Sequence, residues 1–228
     1  NALKARFMLA ELDLAYERYL NDGGVFGASV FHRRIDDLIR NTVAFESVPW
    51  APVVRRYVSR PRNIGKGHTS GIELDARVRL SELFEDGPNT SVRANVSVLR
   101  SRVKSVPGPD NRLIEQPKGT AYIGVNHRLT GTPLSIGASV SHTPGYRLQL
   151  QTDRSIVQAK TNVADAYALY VINSDAQVRL SAANALQRGR VRTSDITTSP
   201  ATGAAERQVR TARQRSDALI GLRLELKL

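Results

Sequence analysis

The sequence contains no cysteine, so it builds neither a disulfide framework nor a thiolate metal site, and redox chemistry assigns it no compartment. No stretch approaches the roughly 18 consecutive apolar residues of a spanning helix. That argues against helical insertion but leaves a membrane barrel open, because barrel strands need only about 10 alternating residues each. Acidic residues are scarce beside basic ones, 21 against 33, for a net charge of +12. Such an excess suits nucleic acid, an anionic membrane surface or acidic ligands, and charge alone does not choose among them. The chain starts at Asn1 without the basic, apolar and small-residue succession of a signal peptide, so that segment has been removed or the chain is an excerpt.

What is abundant is alternation. In "SGIELDARVRL" (70–80), Ile72, Leu74, Ala76, Val78 and Leu80 share one parity, and Glu73, Asp75, Arg77 and Arg79 share the other. Side chains of an extended strand point alternately to opposite faces, so this stretch has one apolar face and one charged face. At helical spacing the same charges would scatter over every side. The pattern predicts a strand, either half-buried in a soluble sheet or standing between lipid and water.

The same signature recurs in about nine segments: 9–20, 25–39, 70–80, 91–103, 120–129, 134–143, 163–172, 177–186 and 217–228. Polar punctuation separates them, which predicts an all-β, antiparallel up-and-down meander of about nine strands. Short connections fall at 21–24, 81–90, 130–133 and 173–176, and long ones at 40–66, 104–117, 144–161 and 187–212. The stretch around Pro49, Pro52 and Pro61 reads as irregular, and the others as polar loops. Alternate turns of a meander lie at the same end, so every short turn is predicted at one rim and every long one at the other. Outer-membrane barrels sort their loops this way. The apolar parity is therefore predicted to face lipid: Ile72, Leu74, Ala76, Val78, Leu80, Val92, Val96, Val98, Leu222, Leu224 and Leu226. The polar parity, with Arg77, Arg79 and Arg93 paired to Glu73 and Asp75, would line a wet lumen.

Taken in order, the segments resemble the C-terminal part of the barrel of TonB-dependent outer-membrane receptors. The likeness is carried by "LDLAYERYL", "GGVFGASVFHRRIDDLI" and "NIGKGHTSGIELDARVRL", with a Gly-x-Glu-x-Asp pattern at Gly71, Glu73 and Asp75. It continues through "SVPGPDNRL" and "RLSAANAL", whose Asn184 and Leu186 look like the Asn-Leu pair ending the family's penultimate strand. The opening departs from the family at Ala2, Ala5 and Arg6, and Leu228 replaces the usual terminal aromatic. The resemblance implies that residues 1–228 form part of a transmembrane β-barrel in the bacterial outer membrane, without the upstream plug domain. It implies uptake of a scarce ligand, most often a ferric siderophore, with the TonB system engaged through the missing N-terminal part.

The remaining candidates concern charge. Arg55, Arg56, Tyr57, Arg60, Arg62 and Arg112 lie in or beside long loops, as do Arg190 and Arg192, where they could meet an anionic ligand or lipopolysaccharide phosphates. A solvated loop is the plainer reading of each. His32, Arg100 and His127 fall on the apolar parity and are predicted at the membrane interface, the two histidines where a girdle tyrosine would be expected. His32, His68, His127 and His142 lack ligand spacing, so no metal or cofactor is expected. No nucleophile, base and orienting acid assemble from local motifs, so no enzyme is expected. Two other readings stay open: a basic soluble all-β domain that binds nucleic acid, and a structural membrane segment with no ligand. The first needs aromatics among the basic residues for base stacking, and few lie there, so no nucleic-acid partner is expected.

Overall fold

A computed structural model describes residues 8–20, 23–198 and 204–227. The expectations for the opening 1–7, for positions 21 and 22 of the first turn and for Leu228 lie outside the described residues. The strands are β1 (Met8–Tyr19), β2 (Val25–Asp36), β3 (Ile39–Val48), β4 (Ala51–Asn63) and β5 (Gly67–Arg79). A one-turn helix, α1 (Leu80–Leu83), precedes β6 (Thr90–Val103), β7 (Gly119–Arg128), β8 (Leu134–Thr143), β9 (Tyr146–Gln151) and β10 (Arg154–Gln158). Then follow β11 (Thr161–Val171), β12 (Ala176–Ala183), β13 (Arg190–Thr198), β14 (Glu206–Gln214) and β15 (Leu219–Leu226).

Nine of these form one antiparallel sheet in the order β1, β2, β5, β6, β7, β8, β11, β12, β15. They are the nine segments whose alternation the sequence displays. The sheet is open: among the described residues β1 pairs only with β2, and β15 only with β12. Short turns join β1 to β2, β5 to β6, β7 to β8 and β11 to β12, and all long excursions leave from the opposite rim.

Three of the four long excursions are hairpins, where irregular loops were expected. β3 pairs with β4 across the 40–66 stretch. The β9–β10 and β13–β14 hairpins join edge to edge as a four-stranded sheet, β14-β13-β10-β9. Pro52 and Pro61 lie inside β4, which proline tolerates because each strand of a two-stranded ribbon has a free edge that demands no N–H. Only the 104–117 stretch is a loop as expected, and α1 opens the predicted compact turn, starting one residue ahead of it at Leu80.

The register of the large sheet keeps the two parities on separate faces across all nine strands. Leu14, Val30, Ile72 and Val98 stand opposite one another on β1, β2, β5 and β6. Further round, Ile123, Val140 and Ala164 form a row, then Leu180 and Leu222. Most of this face is open: Ile72 is 51% exposed and Leu222 76%. Water tolerates scattered apolar side chains but not a continuous face of them, which therefore requires another apolar phase.

The opposite face is polar, and at the long-hairpin rim it is covered. The 104–117 loop folds onto it: Leu113 N donates to Ser101 Oγ at 3.0 Å and Gln116 Nε2 to Thr69 Oγ1 at 2.7 Å. Asn111 Nδ2 closes the loop by donating to the carbonyls of Val103 and Val106, both at 2.8 Å. Hairpin β9–β10 joins through Gln149 N to the Asp110 carbonyl, and Gln151 exchanges hydrogen bonds with the Val43 backbone of β3. Buried apolar side chains concentrate here, at Val48, Val103, Val106, Leu148 and Ile156. The polar face therefore encloses chain at its mouth while the apolar face stays bare, as expected of the inside and outside of a barrel wall.

Two of the predicted lipid-facing residues sit differently. The strand ends at Arg79, so Leu80 opens α1 and leaves the alternation. Val78 is only 8% exposed, because α1 packs back against the ends of β5 and β6.

Candidate functional site

The β3–β4 hairpin gathers five of the six predicted ligand-contact residues. Alternation places Arg56, Arg60 and Arg62 on one face of β4 and Arg55 and Tyr57 on the other. On the first face Glu46 of β3 accepts a hydrogen bond from Arg62 Nη2 at 2.7 Å and forms an ion pair with Arg60, whose Nε lies 3.0 Å away. One carboxylate thus serves two guanidinium groups, and Arg56, opposite it in register, has no ion pair among the described residues. The result is a ribbon face with surplus positive charge and fork-shaped donors suited to carboxylate, phosphate or catecholate-like oxygens. On the other face Arg55 donates to the Phe45 carbonyl at 2.6 Å and lies 4.9 Å from the Phe45 ring centroid, and that ring packs against Tyr57. Arg55 and Tyr57 therefore stiffen the hairpin.

Arg112, the sixth, belongs elsewhere. It is 8% exposed, and its Nη2 donates to the carbonyls of Leu99 at 2.7 Å and Pro117 at 3.1 Å. Loop position suggested an open cation, but backbone carbonyls claim it. Arg40 was missed by sequence reasoning and does similar work at the base of the hairpin, donating to the carbonyls of Leu150 at 3.2 Å and Arg112 at 3.3 Å. Burial pushes both guanidinium groups down from their ordinary values. Together they tie β3, the 104–117 loop and β9 into one block, from which the ribbon projects.

The polar face of the large sheet is a second surface. Tyr122, Asn126, Asp165, Tyr167 and Arg179 line a shallow hollow on it. Tyr167 Oη donates to Asn126 Oδ1 at 2.7 Å, and the Arg179 guanidinium lies 4.0 Å from the Tyr167 ring centroid. Gly137 makes room, since a Cβ there would meet the Tyr167 ring at 2.3 Å. These five side chains were legible only as members of the polar parity. The expected pairing of Arg77, Arg79 and Arg93 with Glu73 and Asp75 is not formed: no ion pair joins them among the described residues. On this face Arg33 instead pairs with Glu11 and, at 3.5 Å, with Asp13.

The interface residues are split between the rims. His32 and Arg100 lie toward the long-hairpin end of β2 and β6, and His127, bonded to Thr90 Oγ1 at 2.8 Å, lies at the short-turn end of β7. Asn184 follows β12 in the left-handed region, at φ 50°, and its amide donates to Ser216 and Asp217 ahead of β15. No group of three His, Asp or Glu side chains able to hold a metal occurs among the described residues. None of their helices is long and apolar enough to cross a membrane, which says nothing of a barrel.

Residues 11–185 match the family model described as "TonB dependent receptor-like, beta-barrel". No curated protein matches the chain significantly.

Proposed function

Because the chain belongs to the TonB-dependent receptor-like β-barrel family, an outer-membrane family of receptors and transporters, we propose that its β3–β4 hairpin captures an anionic ligand at the outer mouth, a ferric siderophore being the favoured class. The carrying observation is the face formed by Arg56, Arg60 and Arg62, on which Glu46 is the one opposing carboxylate among the described residues. Positive charge on a projecting ribbon raises the encounter rate with an anionic chelate. The hollow at Asn126, Tyr167 and Arg179 offers donors farther down the lumen wall. Energy for release inward would come from the TonB system, the family's usual partner, acting on parts of the receptor upstream of this wall.

The test is equilibrium binding of anionic and neutral ferric chelates to the membrane-inserted protein at its full coding length, with Arg56, Arg60 and Arg62 intact or all changed to Gln. The proposal expects at least tenfold weaker binding of the anionic chelate in the variant and a steep salt dependence in the parent. Equal binding by both proteins, at unchanged heat-modifiable mobility, would remove the hairpin from ligand capture. Loss of that mobility would instead indict folding.

A further inference from the structure

Among the described residues, the apolar face carries a cluster of cations at one place, the long-hairpin end of β2, β5 and β6. Its outward row Val30, Ile72 and Val98 is followed, toward the long-hairpin rim, by the row His32, Ser70 and Arg100, and then by Arg34, His68 and Arg102. Lys66 and Lys104 sit just beyond, held together by the Lys104 N–H to Lys66 carbonyl bond of 3.0 Å. Arg34, Lys66, Arg100, Arg102 and Lys104 are all exposed, while Ser101 and Val103, which alternate with them, are buried on the inner side. The cluster therefore points away from the lumen.

Its charge is poorly compensated. Asp36 lies 3.4 Å from Arg34 and 3.5 Å from Lys66, and no carboxylate pairs with Arg100, Arg102 or Lys104 among the described residues. Arg34 and Arg102 stand on either side of His68 in one row, two strand spacings or roughly 10 Å apart. The ring of cations expected of simple interfacial snorkelling is also missing among the described residues. At the same rim the described outward positions of the other strands are Ala10, Ala121, His142, Asn162, Ala182 and Ile220, and at the opposite rim a single arginine, Arg18, stands beside Phe26, with Val78, His127 and Tyr170 further round.

We infer that this cluster is a binding site for the phosphates of a phosphorylated glycolipid of the outer leaflet, whose acyl chains lie along Leu14, Val30, Ile72 and Val98. A free anion would need only the charge. An amphiphile also uses the apolar rows directly below it, about 4.8 Å apart from strand to strand, at acyl-chain spacing. The inference rests on the outward, lipid-facing assignment of this parity.

The test uses the protein at its full coding length in nanodiscs and in detergent. The probes are a bisphosphorylated acylated glucosamine disaccharide, its dephosphorylated form and inorganic phosphate, and retention through detergent exchange is read by native mass spectrometry. The parent is expected to retain the bisphosphorylated lipid, and a variant with Arg100, Arg102 and Lys104 changed to Gln to retain at least tenfold less. Changing the inner-face Arg77 and Arg93 to Gln should leave retention unaltered. Equal retention by the Arg100/Arg102/Lys104 variant, equal retention of the dephosphorylated lipid, or displacement by millimolar inorganic phosphate would overturn the site. A fluorophore at Val96 with brominated lipid separates the two levels. Quenching upholds the outward face, so failed retention then refutes the headgroup site alone; absence of quenching refutes both.

Discussion

The Arg112 guanidinium donates to the Leu99 carbonyl at 2.7 Å, joining the rim loop to the strand it has just left. A charged donor on a buried carbonyl contributes about 1.5–3 kcal/mol. Arg112→Ala should therefore raise amide exchange of Leu113 and Gln116 by roughly 10- to 100-fold, while exchange in β11 and β12 stays constant. Unchanged exchange in the loop would show that the clamp is idle.

Leu74 and Glu73 are neighbours on opposite faces of β5. In lipid vesicles, Leu74→Arg should cost about 2–4 kcal/mol of folding stability, the penalty for a cation near mid-bilayer. Glu73→Arg should cost well under half as much. Denaturant-induced unfolding of both variants compares them directly, and equal penalties would refute the two-faced wall.

Removing the Tyr167 hydroxyl leaves Asn126 Oδ1 without its donor. Tyr167→Phe should cost about 1 kcal/mol, with the stacking of Arg179 retained. Gly137→Val should cost more, because its side chain occupies the space of the Tyr167 ring. The order of the two unfolding midpoints is the readout.

Asp195 on β13 accepts Arg207 of β14 at 2.9 and 2.6 Å, and this pairing holds the carboxyl below its ordinary value. A depressed carboxyl contributes stability that is fully present above its unfolded-state value and is lost as pH falls through the folded one. The β13–β14 hairpin should thus loosen on acidification and be indifferent to pH through neutrality. Limited proteolysis across an acid series should show the transition, and Arg207→Gln should flatten it.

The nine wall strands were legible because each keeps one apolar parity for about 8 residues or more, and a period of two admits no other regular element. The hairpin strands were not, because no face of β3–β4 or β13–β14 is continuously apolar. Arg56, Arg60 and Val58 share a face, and Pro52 and Pro61 mimic loop punctuation. Their pairing rests on backbone bonds and on ion pairs such as Arg62 to Glu46, which leave little trace in hydropathy. The mouth arginines could be found by composition, but the burial of Arg112 could not, since its partners are carbonyls that every residue possesses. The cationic rows were half visible: Arg100 continues the parity of its own strand, but its neighbours Arg34 and His68 emerge only from inter-strand register.

The buried apolar side chains at the rim have a consequence for how the molecule is made. Val103, Val106, Leu148 and Ile156 are hidden from solvent by other parts of the same chain, so ordinary aqueous collapse can assemble the mouth. The wall reads the opposite instruction, because its apolar rows are satisfied only after transfer out of water. One polypeptide thus carries two folding programmes for two solvents, and they meet at Val103, where β6 ends and the rim block starts. A maturing chain would have a preformed head to drag across the bilayer before its wall could seal. A mouth packed in water first would have to expose Val103, Val106, Leu148 and Ile156 again to pass through.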